Sequence, residues 1–169
     1  MLGQQGSEST IVIRDYTEAD SAALWEVFFH TVRNVNVRDY SQIQVEAWAP
    51  TDFDPVLWKS RMDRITPYVA EINGVAVGYA DLQLDGMIDH FFCHFEYQGK
   101  SVGKALMSYI VAEAEKKGIV RLFSEVSHTA RPFYEHFGFA VVEQQSIEVR
   151  GQALTNFIME RRLGKTNGE

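Results

Sequence analysis

A glycine-containing loop, Gln98–Ala105, is the segment whose residue types and spacing indicate chemistry most directly. Its sequence is Q-G-K-S-V-G-K-A, and it joins a strand-like aromatic run, Met87–Cys93, to an amphipathic helical pattern. Glycine lets the backbone approach a ligand closely, and the first turn of a helix presents unpaired N–H groups at the positive end of its dipole. The loop therefore predicts an anion site, and phosphate is the usual occupant of such a site.

The loop does not fit the common nucleotide-binding patterns. A Walker loop, G-x-x-x-x-G-K-[ST], would place its first glycine at His94 in one frame and at Gln98 in the other, where Ala105 also replaces the metal-binding hydroxyl. The dinucleotide pattern G-x-G-x-x-G fails because no third glycine follows in the helix. A spaced cluster of His and Cys ligands is also missing from the sequence, so we expect neither a nucleotide nor a metal.

The loop resembles instead the acyl-CoA pyrophosphate loop of the GNAT superfamily of N-acetyltransferases, [QR]-x-x-G-x-[GA]. The resemblance covers Gln98–Gly103, with Ser101 at the position where that family prefers glycine. Serine keeps the N–H donor but has less freedom at positive φ. A second segment, Ser127–Phe139, is similar to the family's other signature, N-x-x-A-x-x-[LF]-Y-x-x-x-G-F, with Ser127 in place of asparagine. The separation of the two segments leaves room for one helix and one strand, as the family's topology requires.

The resemblance implies an enzyme that moves an acetyl group from acetyl-CoA, as co-substrate, to a primary amine by direct attack. The loop would hold the pyrophosphate, with the Lys100 and Lys104 side chains either adding charge or remaining solvated. The backbone of Phe92 and Cys93 would pair with the pantetheine arm as an added strand does. The residues expected at the cofactor are Phe92, Cys93, Gln98, Gly99, Lys100, Ser101, Val102, Gly103, Lys104, Ser127 and Phe133.

Tyr134 occupies the position where many GNAT enzymes carry the general acid, which protonates the departing thiolate. A phenol has a pKa of about 10 against about 8.5 for a thiol, so donation is uphill by roughly 2 kcal/mol unless the site lowers the tyrosine pKa. We therefore expect Tyr134 to assist the reaction without being indispensable. The alternative is an aromatic core residue.

The general base is less well defined by the sequence. Asp89 and His90, on the strand before the loop, and Glu125, on the next strand, are candidates either directly or through water. Each is also consistent with a structural hydrogen bond or simple exposure. Cys93 is more typical of a small buried side chain than of a nucleophile, because the sequence places no base beside it. A Ser-His-Asp hydrolase is disfavoured because no G-x-S-x-G segment occurs.

The elements that must position these residues follow from periodicity and capping. Three helices are predicted after Thr17, Ser41 and Asp54, followed by a hairpin about Asn73-Gly74. Further elements are a strand over Met87–Cys93, a helix from Val102 to a Gly118 cap, a strand over Arg121–Val126, a short helix over Ala130–Phe137 and a closing strand pair about Arg150-Gly151. Strands with helices between them predict a mixed α/β fold. Resemblance to GNAT proteins implies a central mixed, mostly antiparallel sheet with helices on both faces, and strands that splay apart to form the acyl-CoA cleft.

Composition indicates one soluble domain. The 169 residues, 46% of them hydrophobic, can bury a sizeable core, and we expect a single domain over residues 11–163 between a loose leader, 1–10, and a loose tail, 164–169. A formal net charge of −7 argues against nucleic acid and anionic membranes as partners. One cysteine excludes an internal disulfide. The leader does not resemble a secretory signal and no apolar run reaches membrane-spanning length, so a cytoplasmic protein is expected.

Two questions remain open at the level of sequence. The first half carries aromatic residues that would wall either an acceptor pocket or the core: Trp25, Phe28, Phe29, His30, Tyr40, Trp48 and Trp58. They do not choose between a small-molecule amine and a protein amine, nor between a monomer and a homodimer. The alternative function is a non-catalytic acyl-CoA-binding sensor or structural module with the same fold. Ser101 and Ser127 favour that alternative, and Tyr134 in register opposes it.

Overall fold

The structure, a computed structural model, describes residues 10–164 of the chain. Within this range the order of elements is β1 (Ile11–Asp15), α1 (Ser21–Asn34), α2 (Gln42–Trp48), α3 (Pro55–Ile65), β2 (Tyr68–Ile72), β3 (Val75–Ala80), β4 (Met87–Ile88), β5 (Phe91–Cys93), α4 (Val102–Lys116), β6 (Arg121–Ser127), α5 (Arg131–His136), β7 (Ala140–Val149) and β8 (Gln152–Arg162). The predicted leader and tail lie outside the described residues, except for Thr10 and Gly164.

Local sequence signals fix the ends of the helices in the first half. Ser41 Oγ accepts a hydrogen bond from Gln44 N, and the Gln44 side chain accepts one from Ser41 N, which completes a capping box at α2. Asp54 caps α3 by accepting from the next two N–H groups beyond Pro55. At Thr17 the predicted helix starts differently, since a 3₁₀ turn over Glu18–Asp20 precedes α1.

The sheet is divided into two four-stranded parts, with orders β1-β2-β3-β5 and β4-β6-β8-β7. All neighbouring strands are antiparallel except β4 and β6, which are parallel. The strands β5 and β6 consequently lie in different parts and separate, which confirms the splayed cleft implied by the resemblance.

The prediction of a single strand over Met87–Cys93 was wrong, because this segment is split between the two parts of the sheet. At its start, Ser124 Oγ of β6 donates to the Ile88 carbonyl at 2.7 Å. Just beyond, the His90 N–H donates to the buried Asp81 carboxylate at 2.7 Å, and Asp81 N donates to the His90 carbonyl. Two different neighbours therefore hold the two ends of the segment, and the chain crosses between them at Asp89.

Helices cover both faces of the sheet. The α4 face formed by Leu106, Met107 and Ile110 is fully buried in one core cluster, which includes Ala70 of β2. The neighbouring Val69 belongs to a second cluster, under α1 and α3. Because successive strand residues point to opposite faces, these two clusters lie on opposite sides of the sheet. The result is a rigid frame with a cleft at the division of the sheet.

Candidate active site

A cavity of about 450 Å³ fills the gap between β5 and β6 at the start of α4. It extends from the loop before α4 to Tyr134 on α5. Most of the residues expected at the cofactor line it: Phe92, Cys93, Gln98, Gly99, Ser101, Val102, Gly103, Lys104, Ser127 and Phe133. The division of the sheet thus brings the two sequence signatures, which are separated along the chain, to one cleft.

The loop before α4 has the geometry of an anion site. Gly99 and Ser101 both adopt the left-handed conformation, with φ of 74° and 67°. Along the described chain, no oxygen accepts from the N–H groups of Gly99, Ser101, Val102, Gly103 and Lys104. Unpaired donors at the start of a 15-residue helix, in the positive field of its dipole, suit a phosphate group.

The charged side chains of the loop differ in their placement. Lys104 lines the cleft, whereas Lys100 does not, because its Nζ lies over the Tyr97 ring at 5.2 Å from the centroid. The Gln98 side chain turns back and donates to the Cys93 carbonyl at 2.9 Å. Of the two expected lysines, Lys104 lines this cavity and Lys100 does not.

Gly103 is required by packing as well as by the loop. A Cβ atom at this position would lie 2.8 Å from Cε2 of Phe133 and 3.7 Å from Cys93 Sγ. The first turn of α4 therefore rests directly on the Phe133 ring, which forms part of the cleft wall. Glycine at position 103 lets the two sequence signatures contact each other.

The backbone of β5 corrects the expectation for Phe92. His94 N donates to the Val77 carbonyl, and Asp81 N donates to the His90 carbonyl. Every second residue of an antiparallel strand bonds to the same neighbour, so Phe92, between His90 and His94, also directs its N–H and C=O to β3. The main-chain groups of Phe91 and Cys93 face the gap instead. The Cys93 carbonyl already accepts from Thr31 Oγ1 at 2.7 Å and from the Gln98 side chain. The main-chain groups left for an added strand are therefore those of Phe91 and the Cys93 N–H.

Tyr134 is buried with its hydroxyl at the cleft. Its Oη donates to Ser124 Oγ at 3.5 Å, which is long for a hydroxyl–hydroxyl hydrogen bond. Burial raises the pKa of the phenol above its ordinary value, despite the opposing effect of Ser124. Tyr134 therefore remains protonated at neutral pH, with a hydroxyl that is only loosely held.

A second cavity, of about 400 Å³, lies beside the first, and its lining is aromatic. Of the aromatic residues singled out in the first half, it contains Trp25, Phe28, Tyr40, Trp48 and Trp58. Phe29 and His30 are not part of it; the His30 imidazole pairs with Glu26 on α1. Five residues line both cavities: Trp48, Asp89, Phe92, Glu125 and Ser127. The two cavities therefore share one wall, which carries two carboxylates.

The candidate bases differ in what holds them. Glu125 is exposed and accepts from Gln145 Nε2 at 3.0 Å, whereas no side chain or backbone donor of residues 10–164 reaches the exposed Asp89 carboxylate. His90 is buried against Tyr79, and burial, with the nearby Arg61 and Arg64, lowers its pKa to about 3. An imidazole with so low a pKa is a weak base, so His90 is the poorest of the three candidates.

The thiol of Cys93 also has the properties of a buried side chain rather than of a nucleophile. Burial raises the pKa of the Cys93 thiol to about 12, so the thiolate that would attack is scarce at neutral pH. The Ser127 side chain, where the family signature has asparagine, connects the last residue of β6 to two other segments of the chain. Its Oγ accepts from Ala130 N at 3.1 Å and from Asn36 Nδ2 at 3.3 Å.

Two residues of the site were missed by sequence reasoning. Phe91 could not be distinguished from Phe92, because both belong to the same apolar run and only the pairing with β3 separates them. Asn156 lies inside β8, is 8% exposed and lines the second cavity. Asparagine is uncommon in strand interiors, so its occurrence in the run Q-A-L-T-N-F-I-M was the available signal.

The described part of the chain lacks two further features. No group of three or more His, Cys, Asp or Glu side chains within residues 10–164 is arranged to hold a metal ion. None of the helices in the same range is both long and apolar enough to span a membrane.

Comparison with known proteins identifies the same family over most of the chain. A family model described as an acetyltransferase (GNAT) domain matches residues 36–161. The chain is 34% identical over 151 residues to the uncharacterized N-acetyltransferase YafP of Escherichia coli strain K12. The aligned region covers 89% of this chain and 95% of that protein.

Solved structures agree on the fold. A GCN5-related N-acetyltransferase from Rhodopseudomonas palustris matches with a TM-score of 0.87 at 28% identity, covering 92% of this chain and 97% of the other. The PaiA N-acetyltransferase of Thermoplasma acidophilum, in complex with coenzyme A, matches with a TM-score of 0.70 at 21% identity, covering 91% and 99%.

Proposed function

This chain belongs to the GNAT family of acyl-CoA-dependent N-acetyltransferases, and we propose that it transfers the acetyl group of acetyl-CoA directly to a primary amine. The observation that carries this proposal is the wall shared by the two cavities. One cavity ends at an anion-binding helix start, and the other is a separate aromatic chamber. A donor in the first and an acceptor in the second would meet at Asp89, Phe92 and Glu125.

The cleft residues would bind the donor by its charge and its amide groups. The N–H groups of Gly99 and of residues 101–104, which have no acceptor in the described chain, would donate to the pyrophosphate, with the Lys104 ammonium adding charge. Phe91 and the Cys93 N–H would pair with the pantetheine amides, because their main-chain groups face the gap. The Phe133 ring would pack against the arm. These contacts would direct the thioester toward the shared wall.

Asp89 would act as the base that makes the amine nucleophilic. A typical alkyl amine with a pKa near 10.4 costs roughly 4.6 kcal/mol to deprotonate at pH 7, so a proton acceptor is needed. The Asp89 carboxylate lines both cavities and has no donor of its own in the described chain, which supports its assignment over Glu125. The amine nitrogen would then form its bond to the carbonyl carbon.

Tyr134 would assist the departure of the thiolate. As the carbon–sulfur bond breaks, negative charge collects on sulfur, and the loosely held Tyr134 hydroxyl would donate a hydrogen bond to it. The raised pKa of this phenol means that stabilising the anion matters more than complete proton transfer. The nitrogen would lose its second proton as the amide forms, the thiolate would take up one proton, and the other would leave from Asp89 to solvent. The products would be the N-acetylated amine and coenzyme A.

The test of the proposal combines binding with turnover. Calorimetry should show one coenzyme A site per chain, and a thiol-release assay with acetyl-CoA should respond to primary amines. Mass spectrometry should find the acetyl group on the amine. The matched control is a tertiary amine of similar size, which cannot form an amide. Coenzyme A binding with no turnover for any amine in the panel would instead support a non-catalytic binding module.

A further inference from the structure

Asn156 contains a polar atom that the protein leaves unsatisfied. Its Oδ1 is buried, and within residues 10–164 no donor reaches it. Burying an oxygen without a hydrogen bond costs stability, so each such atom in a native fold requires an explanation. The residue is 8% exposed and lies in the middle of β8, paired with Ser127 on β6 and Gln145 on β7.

The position of Asn156 relates this oxygen to the shared wall. Cross-strand partners lie on the same face of a sheet, and so do residues two apart on one strand. Asn156, Ser127 and Glu125 therefore share one face, and all three line the second cavity. Ser127 and Glu125 also line the acetyl-CoA cleft. The Ser127 hydroxyl and the Glu125 carboxylate already accept protein hydrogen bonds, whereas Asn156 Oδ1 accepts none in the described chain.

We propose that the Asn156 amide turns about its terminal bond on binding, so that Oδ1 accepts a hydrogen bond from the amino group of the acceptor, and that this acceptor is a monoamine on a compact aromatic or similarly apolar body. The inference rests on the proposed function. An attacking primary amine uses its lone pair on the thioester and must direct its N–H groups to acceptors. Asn156 Oδ1 and the Asp89 carboxylate would receive them, which fixes the direction of the lone pair.

The lining of the second cavity defines the body of the acceptor. Apart from the shared wall it is mainly apolar, and its aromatic rings support one another, with Trp25 stacked on Phe53 at 3.9 Å between centroids. The aromatic side chains in the lining are Trp25, Phe28, Tyr40, Trp48, Phe53, Trp58 and Phe92. A flat apolar body would bury its surface against these rings. Hydroxyl groups, as on an aminoglycoside, would lose water without gaining partners.

The charges in the same lining oppose a second basic group on the acceptor. Asp89 and Glu125 lie on the shared wall, and their carboxylates would attract one ammonium there. The rest of the lining contains Arg61, Arg150 and Asp54, and the Asp54 carboxylate already accepts from two N–H groups at the start of α3. Another ammonium, as on a polyamine, would therefore meet two guanidinium groups against one carboxylate and be repelled.

The test uses phenethylamine and tryptamine as acceptors, with spermidine, an aminoglycoside and a lysine-containing peptide as alternatives. The aromatic monoamines should show the highest kcat/KM. Asn156→Leu should lower kcat/KM for phenethylamine by about 10- to 100-fold, mostly through KM, because one hydrogen bond to a charged or reacting nitrogen is lost. Asn156→Asp keeps an oxygen at the same position and should retain most of the activity.

Controls separate a binding role from a structural one. Coenzyme A affinity should be unchanged in Asn156→Leu, and its melting temperature should not fall, because the variant removes an unsatisfied buried oxygen. Thr155→Val, a neighbouring substitution on the opposite face of β8, should leave kinetics unchanged.

The outcomes distinguish this inference from the proposed function. Failure to bind coenzyme A or to acetylate any amine would overturn the proposed function. Turnover with a preference for spermidine, the aminoglycoside or the peptide would overturn the acceptor class alone. Equal kinetics of Asn156→Leu and the wild type would overturn the role of Asn156. The acceptor class is decided by the order of kcat/KM values that the wild type shows over the amine panel, and this measurement does not depend on the folding of the variant.

Discussion

At the scale of single residues, Tyr134 is an acid whose surroundings make it weaker. Proton donation from a free phenol to a thiolate is already uphill, and burial raises the Tyr134 pKa further. Among residues 10–164, the Tyr134 hydroxyl makes one hydrogen bond, a long one to Ser124. Such a hydroxyl can turn to a developing anion at little cost, so its contribution is a hydrogen bond formed in the transition state.

Tyr134→Phe should therefore lower kcat by about 10²-fold, the lower end of the range for general acid catalysis. The amine KM and the coenzyme A affinity should change little, because only the hydroxyl is removed. Steady-state kinetics with calorimetry provide the measurement. Tyr109→Phe, on the face of α4 that contacts Tyr68, is the matched control and should be fully active. Full activity of Tyr134→Phe would instead assign Tyr134 to the core.

Asp89→Asn tests the base through the pH dependence of the rate. At pH 7 the variant should lose about 10²- to 10⁴-fold in kcat/KM, because the amine keeps its proton. The deficit should shrink as the pH rises toward the amine's own pKa near 10, where the free amine no longer needs a base. Glu125→Gln is the comparison, with a smaller and pH-independent effect. If Glu125→Gln instead shows the large deficit that shrinks at high pH, and Asp89→Asn the small pH-independent one, Glu125 is the base.

At the scale of elements, the loop before α4 contains local strain at Ser101. Its φ of 67° is a conformation that costs a residue with a Cβ roughly 1–2 kcal/mol, and the preceding Gly99 adopts a similar one without that cost. Ser101 nevertheless adopts the left-handed conformation, so the serine replaces the family's glycine without loss of the turn.

Ser101→Gly should stabilise the fold by up to about 1 kcal/mol, since relief of the strain exceeds the added flexibility of the unfolded chain. Thermal unfolding gives the stability, and calorimetry should find coenzyme A affinity equal or higher. The matched control is Ser108→Gly, an exposed position within α4, which should destabilise by roughly 0.5–1 kcal/mol. A loss of stability in Ser101→Gly would mean that the serine hydroxyl supports the loop.

The elements that could be predicted are those with local signals. The capping box at Ser41, the Asn73-Gly74 hairpin and the helix of Val102–Lys116 follow from neighbours in the sequence. The break at Asp89 could not be predicted, because it depends on Asp81 and Ser124, which lie on other elements and bind the two sides of the break. The same non-local pairing directs the main-chain groups of Phe91, and not those of Phe92, to the gap, and it leaves Asn156 Oδ1 without a donor among residues 10–164.

At the scale of the whole molecule, a buried polar cluster lies where the sheet divides. Asp81 accepts from the His90 N–H at 2.7 Å and from Gln83 Nε2 at 2.6 Å, and Tyr79 Oη lies 3.1 Å from His90 Nδ1. Burial raises the Asp81 pKa to about 6 and lowers the His90 pKa to about 3. Both groups are thus shifted toward their neutral forms, and both couple the stability of the divided sheet to pH.

The two shifts have opposite effects on stability. In the unfolded chain His90 takes up a proton below about pH 6.5, whereas in the folded chain it stays neutral until the pH approaches 3. Its contribution to the free energy of unfolding is therefore present above about pH 6.5 and is lost as the pH falls toward 3. In the unfolded chain Asp81 loses its proton above about pH 3.9, whereas in the folded chain it keeps that proton up to about pH 6. Its contribution to the free energy of unfolding is therefore present below about pH 3.9 and is lost as the pH rises through 6. The effects partly cancel between pH 4 and 6, and comparison with a variant separates them.

His90→Gln should remove the acid sensitivity that His90 confers. Its backbone N–H still binds Asp81, so the Asp81 contribution is retained in both proteins. Relative to the variant, the wild type should therefore lose up to about 1.4 kcal/mol of unfolding free energy per pH unit below about pH 6. Urea unfolding at pH 7, 6, 5 and 4 measures the difference. His136→Gln, at an exposed histidine, should follow the wild type. Parallel pH curves for His90→Gln and the wild type would show that His90 takes up protons equally in the folded and unfolded chains.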